Sequence, residues 1–575
     1  MSHATTTHEF SQYAEVRAAL ADPALVPPAP APDAGPRGAS VAWLRATVAR
    51  FASGEPHRRR RALVEAELAR LAPADLHRAA TTPASGGEGN LRTRVVRALA
   101  AALDMPEPER IAREVDVVAD AYFGAGGPAN APGAVDREPA AAGEAGPADP
   151  TDGAVATPAD HAVARLVALL APGTADEAGL EAVANRIGLL VQACAATAAL
   201  VEAAGAGVPT ARVLGEDPPV RVMRRVAARA TRLAGREIAE GDEVVLDLVA
   251  AQHGHPVPLT FGAPPRVCPG RAHALALADG LLGRPMTPFA RLHHRGEAFL
   301  LPNAWDCASA AALAAEGFEA VGTTSLGVAA GLGLPDGAAA TKEATVDLAR
   351  RLGRVWSSSA DAATPRGNSR QDLGRGSFLF SVDAEGGFSD DPAEVAALAR
   401  RLYEAGAAGI NLEDGRADGT LAPVGLHAAK IAAVKEAVPA LFVNARTDTY
   451  WLGREQERTA GRLAVYEQAG ADGVFVPGLT DRAEIAALTA ALVTPLNVLY
   501  SPAGPTVAEL SALGVRRVSL GSLLYREALG AAAATAAAIR DGGPVRGGAL
   551  SYADVQALAT GAGSGGRGGD DVHDG

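Results

Sequence analysis

The stretch from Phe378 to Asp448 decides the fold of this protein. It contains three short apolar runs, FLFSVD (378–383), GINLE (409–413) and LFVNAR (441–446), and a segment with helical periodicity follows each of the first two. Similar runs occur on both sides of this stretch. The predicted strands are Phe299–Pro302, Ala320–Thr324, Phe378–Asp383, Gly409–Glu413, Leu441–Arg446, Gly473–Pro477, Leu496–Tyr500 and Arg517–Gly521.

Strand–helix alternation on this scale predicts an α/β fold, a (β/α)8 barrel over residues 287–545. The strands are almost continuously apolar, as parallel strands buried on both faces should be. An open, doubly wound sheet is the alternative. Neither a G-x-G-x-x-G turn nor a G-x-x-x-x-G-K-[ST] loop follows any predicted strand, which disfavours a nucleotide-binding sheet.

The composition indicates several domains joined by linkers. The chain has 575 residues, too many for one typical domain, and it contains 64 glycines and 39 prolines. Most of residues 1–284 shows helical periodicity, and a Pro/Gly/Ala-rich linker interrupts it. We predict two mainly α-helical parts, residues 1–123 and 161–284, joined by a disordered linker at 124–160. The barrel follows at 287–545, with a surface insertion at 357–376, and a tail ends the chain at 546–575.

Charge and cysteine content exclude several classes of function. There are 53 basic and 66 acidic residues, a net charge of −13, which argues against a general nucleic-acid binder. Three cysteines cannot form a disulfide framework, so we expect a reducing, cytoplasmic setting. No basic segment followed by an apolar run opens the sequence, so no signal peptide is predicted. Gln192 and Glu202 interrupt the longest apolar stretch, 187–208, which predicts a buried helix and no membrane contact.

Charged residues concentrate where the predicted strands end, the face on which such barrels carry their chemistry. Asp383 and Glu385 are two residues apart on an extended segment, so their side chains point to the same side. The full set is Asp336, Asp383, Glu385, Glu413, Asp414, Arg446 and Asp448. These acids would repel one another without a cation, and their oxygen ligands suit Mg²⁺ or Mn²⁺. The alternative is that they are ordinary solvated loop acids.

Lysine is scarce, which argues against one type of barrel chemistry. The chain has only Lys342, Lys430 and Lys435, and none of them ends a predicted strand. An aldolase that forms an imine needs a lysine in its site. That mechanism is therefore not expected.

Seven motifs in order make residues 287–545 resemble the isocitrate lyase/phosphoenolpyruvate mutase superfamily. They are LLPNAWDCASA, TTSLGVAAGLGLPDG, SVDAEGGF, GINLEDG, VNARTD, AGADGVFVPG and LGVRRVSLGS. The resemblance implies an Mg²⁺-dependent lyase or mutase. Such an enzyme acts on a small 2-oxo acid or phosphonate and breaks or makes a C–C or P–C bond through an enolate. It also implies a homo-oligomer assembled through the barrel.

The same resemblance implies roles for individual residues. Asp383 would be the main metal carboxylate, and Glu385 and Glu413 would complete a largely water-mediated shell. Arg446 would bind oxygens of the substrate, and Asp336 would lie beside the reacting group. The segment that grips the substrate carboxylate would be Thr324, Ser325 and Leu326.

The sequence departs from the superfamily at the positions that define its named reactions. The lyase branch carries a loop cysteine as acid/base, whereas the corresponding loop here, DGRADGTLAP, has neither cysteine nor histidine. The mutase branch has a lysine where this chain has Gly415. Pro477 follows the sixth strand, where many members have His or Glu. Isocitrate lyase activity is therefore not expected.

A second motif lies before the barrel. Phe261-Gly-Ala-Pro-Pro-Arg-Val-Cys268-Pro-Gly270 precedes an Ala/Leu-rich segment with helical periodicity. The backbone amides and dipole at a helix N-terminus stabilise a thiolate, and thiolate is an axial ligand of haem iron. This loop resembles the haem-binding loop of cytochrome P-450, except that Pro264 replaces a glycine.

Further matches to that family are partial. The resemblance implies haem bound by Cys268, with Arg266, His57 and Arg61 as cofactor-binding residues, the last two in the family's His-x-x-x-Arg spacing. The region is short for the family, its Glu-x-x-Arg pair is absent, and its oxygen-activating pair appears as Ala196-Thr197.

Three functions therefore compete. The leading prediction is a Mg²⁺-dependent lyase or mutase fused to a degenerate haem-thiolate region. The second is a haem protein in which the barrel is a passenger. The third is a non-catalytic small-molecule sensor or scaffold.

Overall fold

The computed structural model describes residues 5–30, 36–82, 89–123, 156–173, 176–205, 207–255, 257–263, 266–360, 378–545 and 548–560. The chain divides into two compact units, residues 1–286 and 287–575. Most of the predicted linker (124–155), most of the predicted insertion (361–376) and the end of the tail (561–575) lie outside the described residues.

The first unit is mainly helical. Its core is formed by α2 and α4–α8, with α8 at the centre, where Ile187, Leu190 and Cys194 are fully buried. The helices are α1 (Tyr13–Ala21), α2 (Val41–Thr47), α3 (Gly54–Ala69), α4 (Pro73–Thr81), α5 (Leu91–Ala102), α6 (Pro108–Phe123), α7 (Pro158–Leu170), α8 (Glu177–Ala204), α9 (Thr210–Glu216), α10 (Leu248–Gln252) and α11 (Arg271–Leu281).

Two small sheets accompany these helices. The larger has the strand order β1-β6-β3-β2, in which β1 and β6 are parallel and the other pairs antiparallel, and the smaller is the β4–β5 hairpin. Apolar side chains between the larger sheet and α1 form a second core. The strands are β1 (Thr7–Phe10), β2 (Leu25–Val26), β3 (Val222–Ala227), β4 (Thr231–Leu233), β5 (Arg236–Ile238) and β6 (Glu243–Asp247).

Helix α8 has the length and composition of a membrane span, and among the described residues it is the one helix that does. More than half of its apolar window is buried within the protein. Its Asn185, also buried, accepts a hydrogen bond from the Ala49 amide at 2.9 Å and donates to the Thr47 and Glu181 carbonyls. A core helix of a globular unit has these properties, in agreement with the sequence-based prediction.

The second unit contains a parallel barrel. Its sheet has the order β7-β15-β14-β13-β12-β11-β10-β9-β8, and every pair is parallel. The strands are β7 (Phe299–Leu301), β8 (Asn303–Ala304), β9 (Ala320–Thr323), β10 (Leu379–Asp383), β11 (Gly409–Glu413), β12 (Phe442–Arg446), β13 (Gly473–Val476), β14 (Leu496–Leu499) and β15 (Arg517–Ser519). The predicted barrel class is confirmed.

Helices follow most of these strands, as the periodicity predicts. They are α12 (Pro288–His293), α13 (Cys307–Ala315), α14 (Ser325–Gly331), α15 (Lys342–Ala360), α16 (Pro392–Glu404), α17 (Val424–Ala437), α18 (Thr459–Gln468), α19 (Arg482–Ala491), α20 (Val507–Ala512), α21 (Leu523–Arg540) and α22 (Tyr552–Thr560).

The first barrel strand is split at Pro302 into β7 and β8, and the pairing of these two halves closes the barrel. β7 pairs with β15, and β8 pairs with β9, so the two halves of one strand join the two ends of the sheet. Proline has no N–H to donate, which interrupts the ladder there. The Asn303 side chain reinforces the closure by accepting the amides of Leu520 and Gly521 at 3.1 and 2.8 Å. The sequence-based prediction ended this strand at Pro302, two residues too early.

Two other predicted boundaries were wrong. Pro158–Asp160 were assigned to the linker but begin α7, where Thr157 and Asp160 form a reciprocal capping box. Residues 357–360 were assigned to the insertion but belong to the end of α15. Low-complexity composition concealed both helix ends.

Helix α12 seals the N-terminal end of the barrel. Phe289 is fully buried and meets Phe442 edge to face, with ring centroids 5.5 Å apart. His293 stacks on the same Phe442 ring at 4.1 Å. Since this end is closed by packed rings, the opposite end is the one that is open to a substrate.

Gly353 is required where α15 passes close to the end of α16. A Cβ at residue 353 would lie 1.9 Å from the Ala405 carbonyl oxygen, so one of the two helices would have to move. We predict that Gly353→Ala lowers the free energy of unfolding by about 1–3 kcal/mol because of this overpacking. Gly425→Ala, in α17 with open space around it, should be neutral or mildly stabilising. Denaturant titration of both variants tests this, and equal losses would contradict it.

Candidate active site

The predicted site residues meet at one end of the barrel because they end neighbouring parallel strands. Glu413 on β11 lies opposite Arg446 on β12, and Asp383 on β10 lies opposite Asn411 on β11. These positions are the C-terminal ends of β10, β11 and β12. The barrel thus brings together side chains that are far apart in sequence.

Arg446 is held between two carboxylates. Its Nη1 donates to Glu413 at 2.7 Å, and its Nε donates to Asp448 at 2.6 Å. Burial lowers the pKa of Arg446, but the Glu413, Asp448 and Asp383 carboxylates outweigh burial and raise it. Burial also raises the pKa of Glu413, against the effect of Arg446. The guanidinium is therefore a fixed positive charge with a fixed orientation.

Asp383 has one carboxylate oxygen without a partner. Its Oδ2 accepts the Ser325 amide at 3.3 Å, and its own amide donates to the Thr323 hydroxyl at 2.8 Å. Oδ1 is buried and has no hydrogen bond among the described residues. A buried, unsatisfied carboxylate oxygen is costly unless a ligand completes it.

Asp336 and Ser325 are also brought to this side of the site. A hydrogen bond from the Ser325 side chain opposes the rise in the pKa of Asp336 that burial and the Asp383 charge produce. Thr324 is the N-cap of α14 and is buried, and Leu326 lies in the first turn of that helix. Of the three residues predicted to grip the substrate carboxylate, Ser325 contacts Asp383, and Thr324 and Leu326 flank Ser325 in the chain.

Glu385 uses both of its oxygens on the loop that follows Asp336. It accepts the Ala339 amide at 3.1 Å and the Thr341 hydroxyl at 2.8 Å. Burial raises the pKa of Glu385. Its backbone has φ = +47°, in the left-handed region that is unfavourable for a non-glycine residue. The sequence contained no signal for Thr341 or Thr323 as partners of the site acids.

The sequence placed Asp414 with the charged residues at the barrel mouth, but in the structure this side chain is buried among protein donors. It is fully buried and accepts hydrogen bonds from the Thr447 hydroxyl at 2.8 Å, the Asp448 amide at 2.9 Å and the Tyr466 hydroxyl at 2.6 Å. Arg462 lies 3.4 Å away. Asp414 thus anchors the loop that aims Asp448 at Arg446.

The arrangement fits a hard cation bound mainly through water. In the described parts of the chain, no three His, Cys, Asp or Glu side chains converge closely enough to coordinate one metal directly. Asp383 offers a free oxygen, whereas Glu385 and Glu413 are engaged with protein donors. Mg²⁺ keeps several waters in such sites and needs only one or two direct carboxylates.

The second predicted site lies in the first unit, around Cys268. The Cys268 amide donates to the Phe261 carbonyl at 2.8 Å, and the Arg61 guanidinium donates to the Val267 carbonyl at 2.8 Å. Gly270 caps α11, so the cysteine precedes a helix N-terminus as predicted. Burial nevertheless raises the pKa of the Cys268 thiol, and the Gly270 amide and Arg271 only partly offset it. Burial therefore outweighs the stabilisation of a thiolate that the helix N-terminus provides.

Positive charge gathers around this cysteine loop. Arg266 donates to the Ala52 carbonyl at 3.0 Å, and the pKa of His57 is lowered to about 4 by burial and by Arg266 and Arg61. Burial, Arg266 and Arg50 lower the pKa of Arg225 to about 10. Within the described residues, neither Arg225 nor Arg266 has a carboxylate at ion-pair distance. The sequence analysis missed Arg225, which comes from β3.

The fold and the acidic site define the second unit as a (β/α)8 barrel with charged side chains at the C-terminal ends of its strands. Residues 289–540 match the family model described as phosphoenolpyruvate phosphomutase. An uncharacterized protein of Mycobacterium tuberculosis strain H37Rv is 44% identical over 47% of this chain and 95% of its own length. The chain therefore belongs to this family through its barrel.

Two further relatives were compared. An oxaloacetate decarboxylase of Chromohalobacter salexigens is 30% identical over 42% of this chain and 80% of its own length. A crystal structure from Burkholderia cenocepacia J2315, provisionally described as a lyase/mutase, is 37% identical over 47% of this chain and 92% of that one, with a TM-score of 0.40.

Gly415, the position at which the mutase branch has lysine, leaves no room for any side chain. A Cβ there would lie 2.1 Å from the Asp448 Oδ2. We predict that Gly415→Ala pushes Asp448 off Arg446 and lowers the free energy of unfolding by about 1–3 kcal/mol. In an Asp448→Ala background the loss should shrink, since only the Cβ of residue 448 remains, 3.3 Å away. A double-mutant cycle by denaturant titration measures this coupling, and strictly additive losses would refute it.

Proposed function

We propose that the barrel is a Mg²⁺-dependent (or Mn²⁺-dependent) lyase or mutase that cleaves or forms a bond next to the 2-oxo group of a small acid. The observation that carries the proposal is the unpaired, buried oxygen of Asp383 beside the oriented Arg446. A divalent cation there would act as a Lewis acid on charge that develops on the 2-oxo oxygen. Asp383 would hold it directly, and Glu385 and Glu413 would do so through water.

Arg446 would bind an anionic group of the substrate. Its Nε and Nη1 are committed to Asp448 and Glu413, whereas no described residue accepts a hydrogen bond from Nη2. A planar guanidinium fixed on two sides presents its remaining donors in one direction, which suits a carboxylate or phosphonate. The amides in the first turn of α14, next to Thr324, Ser325 and Leu326, would bind the substrate carboxylate.

Asp336 is the group that we assign to hold a proton next to the reacting atoms. It lies beside Ser325, and burial and the charge of Asp383 raise its pKa. This role matters because the loop cysteine of the lyase branch is absent from DGRADGTLAP.

A reaction that needs no such cysteine, the cleavage of a carboxylate from a four-carbon 2-oxo acid, fits the relatives described as oxaloacetate decarboxylases. Oxaloacetate is therefore the first substrate to test, and phosphonopyruvate, for P–C chemistry, is the second.

We further propose that the barrel self-associates. Helices α16–α20 each bury at least one residue, but the described structure buries none of the 18 residues of α21. Leu529 and Ile539 on α21 are 54% and 61% exposed. A second copy of the same barrel would cover this apolar helix, and apolar surface of that kind is typical of an interface.

The catalytic proposal predicts that Asp383→Ala and Arg446→Ala each lose at least roughly 10²–10³ in kcat/KM, because each removes a group that stabilises developing charge. EDTA should abolish turnover, and Mg²⁺ or Mn²⁺ should restore it. Asp347→Ala, an exposed acid of α15 that pairs with Arg350, is the matched control and should keep full activity. Pyruvate release from a panel of 2-oxo acids measures the effect. Normal turnover by folded Asp383→Ala protein in EDTA would exclude the metal-dependent proposal, and no turnover by wild type with Mg²⁺ on any acid of the panel would favour a sensor or scaffold.

Haem binding by the first unit is a second candidate, favoured by one observation. Three arginines lie around the Cys268 loop: Arg61, Arg225 and Arg266. Among the described residues, no carboxylate forms an ion pair with Arg225 or Arg266, so a ligand with anionic substituents would neutralise these two charges. Haem carries two carboxylates, Cys268 would supply a thiolate ligand to its iron, and His57 lies near Arg266 and Arg61. Bound haem would supply redox chemistry at its iron.

Cys268→Ser tests this candidate. If the purified full-length protein takes up haem, its reduced CO complex should show a thiolate-type Soret band, and Cys268→Ser should abolish that band because serine does not supply a thiolate. Cys307→Ser, in the barrel, is the matched control and should leave the spectrum unchanged. A band that survives Cys268→Ser would remove the assignment.

A further inference from the structure

Arg517 is a buried guanidinium inside the barrel, and the resemblance assigns no role to it. It lies on β15, is fully buried, and donates from Nε to the Ser519 hydroxyl and from Nη2 to the Asn411 side-chain oxygen, both at 3.1 Å. Its Nη1 is buried and has no partner among the described residues. Burying a charge without a carboxylate at ion-pair distance is costly unless another charge opposes it.

The nearest opposing charge is that of the active site. Asn411, which accepts from Arg517, is the register neighbour of Asp383 across β10 and β11. Arg517 is therefore linked, through the Asn411 side chain, to the strand position that lies beside Asp383. Burial lowers the pKa of Arg517 to about 9, and the Asp383 carboxylate acts in the opposite direction.

The site above is strongly acidic before any cation binds. Asp336, Asp383, Glu385, Glu413 and Asp448 meet there, and the pKa values of Asp336 and Glu385 are raised by burial and by the charge of Asp383. Arg446 is already shared by Glu413 and Asp448. Asp383 is left without a protein cation at contact distance among the described residues.

We infer that Arg517 is a positioning residue that serves as the built-in counter-charge of Asp383, offsetting repulsion among the site carboxylates until a divalent cation arrives. The inference rests on the proposed function in one respect, that Asp383 is the metal carboxylate. Two consequences distinguish this role from simple packing. Loss of the charge should destabilise the metal-free protein through Asp383, and it should make the site bind a divalent cation more tightly, because one repelling positive charge has been removed.

The first test needs neither metal nor substrate. Thermal unfolding of the full chain in EDTA is measured for wild type, Arg517→Met, Asp383→Asn and the double variant. If Arg517 offsets the Asp383 charge, the loss of Tm caused by Arg517→Met should be at least about twofold smaller when residue 383 is already neutral. An equal loss in both backgrounds overturns the inference. Should Arg517→Met fail to fold, folding of the double variant supports the inference, and failure of both refutes it.

The second test uses Mn²⁺ as the probe. Arg517→Met should bind Mn²⁺ at least about threefold more tightly than wild type, and Arg517→Lys, which keeps the charge, should bind it as wild type does. Arg516→Met is the matched control, since Arg516 donates to the Ser511 and Val515 carbonyls away from the site, and it should change neither readout. Unchanged or weaker binding by Arg517→Met overturns the inference. If wild type binds no Mn²⁺, the proposed metal-dependent function fails, whereas the metal-free cycle still decides the role of Arg517.

Discussion

Register between parallel strands is the constraint on which this structure depends. In a closed barrel, hydrogen bonds fix how far each strand is shifted against the next, and side chains two residues apart then face the same interior. Glu413 opposite Arg446 and Asp383 opposite Asn411 follow from that register. A slip of one residue on β10 would turn Asp383 to the outside. The split strand at Pro302 and the Asn303 side chain, which complete the ring, therefore help to place acids on the other side of the barrel.

The site is arranged as charges at two depths. At the mouth, Arg446 is shared by Glu413 and Asp448, and the buried Asp414 holds the amide of Asp448. Below it, Arg517 and the amide side chains of Asn411 and Asn444 form a polar layer, in which Asn444 donates to Asn411 at 2.9 Å. Each charged group is oriented by a neighbour, so little movement is needed when charge develops on a substrate. The absence of a side chain at Gly415 belongs to the same arrangement, because Asp448 occupies that space.

The two units differ in how completely their sites are defined. The barrel site has side chains on three adjacent strands. The barrel also matches the family model and a relative over 95% of that relative's length, which makes the family assignment direct. The first unit has a half-buried cysteine, a capped helix and a group of arginines without carboxylate partners among the described residues, and the family match covers residues 289–540, outside this unit. Its chemistry is therefore a separate question from that of the barrel.

The sequence by itself determined the barrel and most of the residues at its mouth. All eight predicted apolar runs contain strands, because a strand buried on both faces needs continuous apolar residues. The charged residues that end three consecutive runs must then meet at one end of the barrel. The sequence could not show which hydrogen-bond and ion-pair partners each of these acids has. Asp414 and Asp448 both follow a strand end within two residues, yet Asp414 anchors the loop through Thr447 whereas Asp448 binds Arg446. Thr341, Asn411 and Arg517 reach the site across tens to hundreds of residues, and only the folded chain brings them there. Local patterns record burial and periodicity, whereas hydrogen-bond partners and electrostatic balance depend on distances that tertiary packing alone decides.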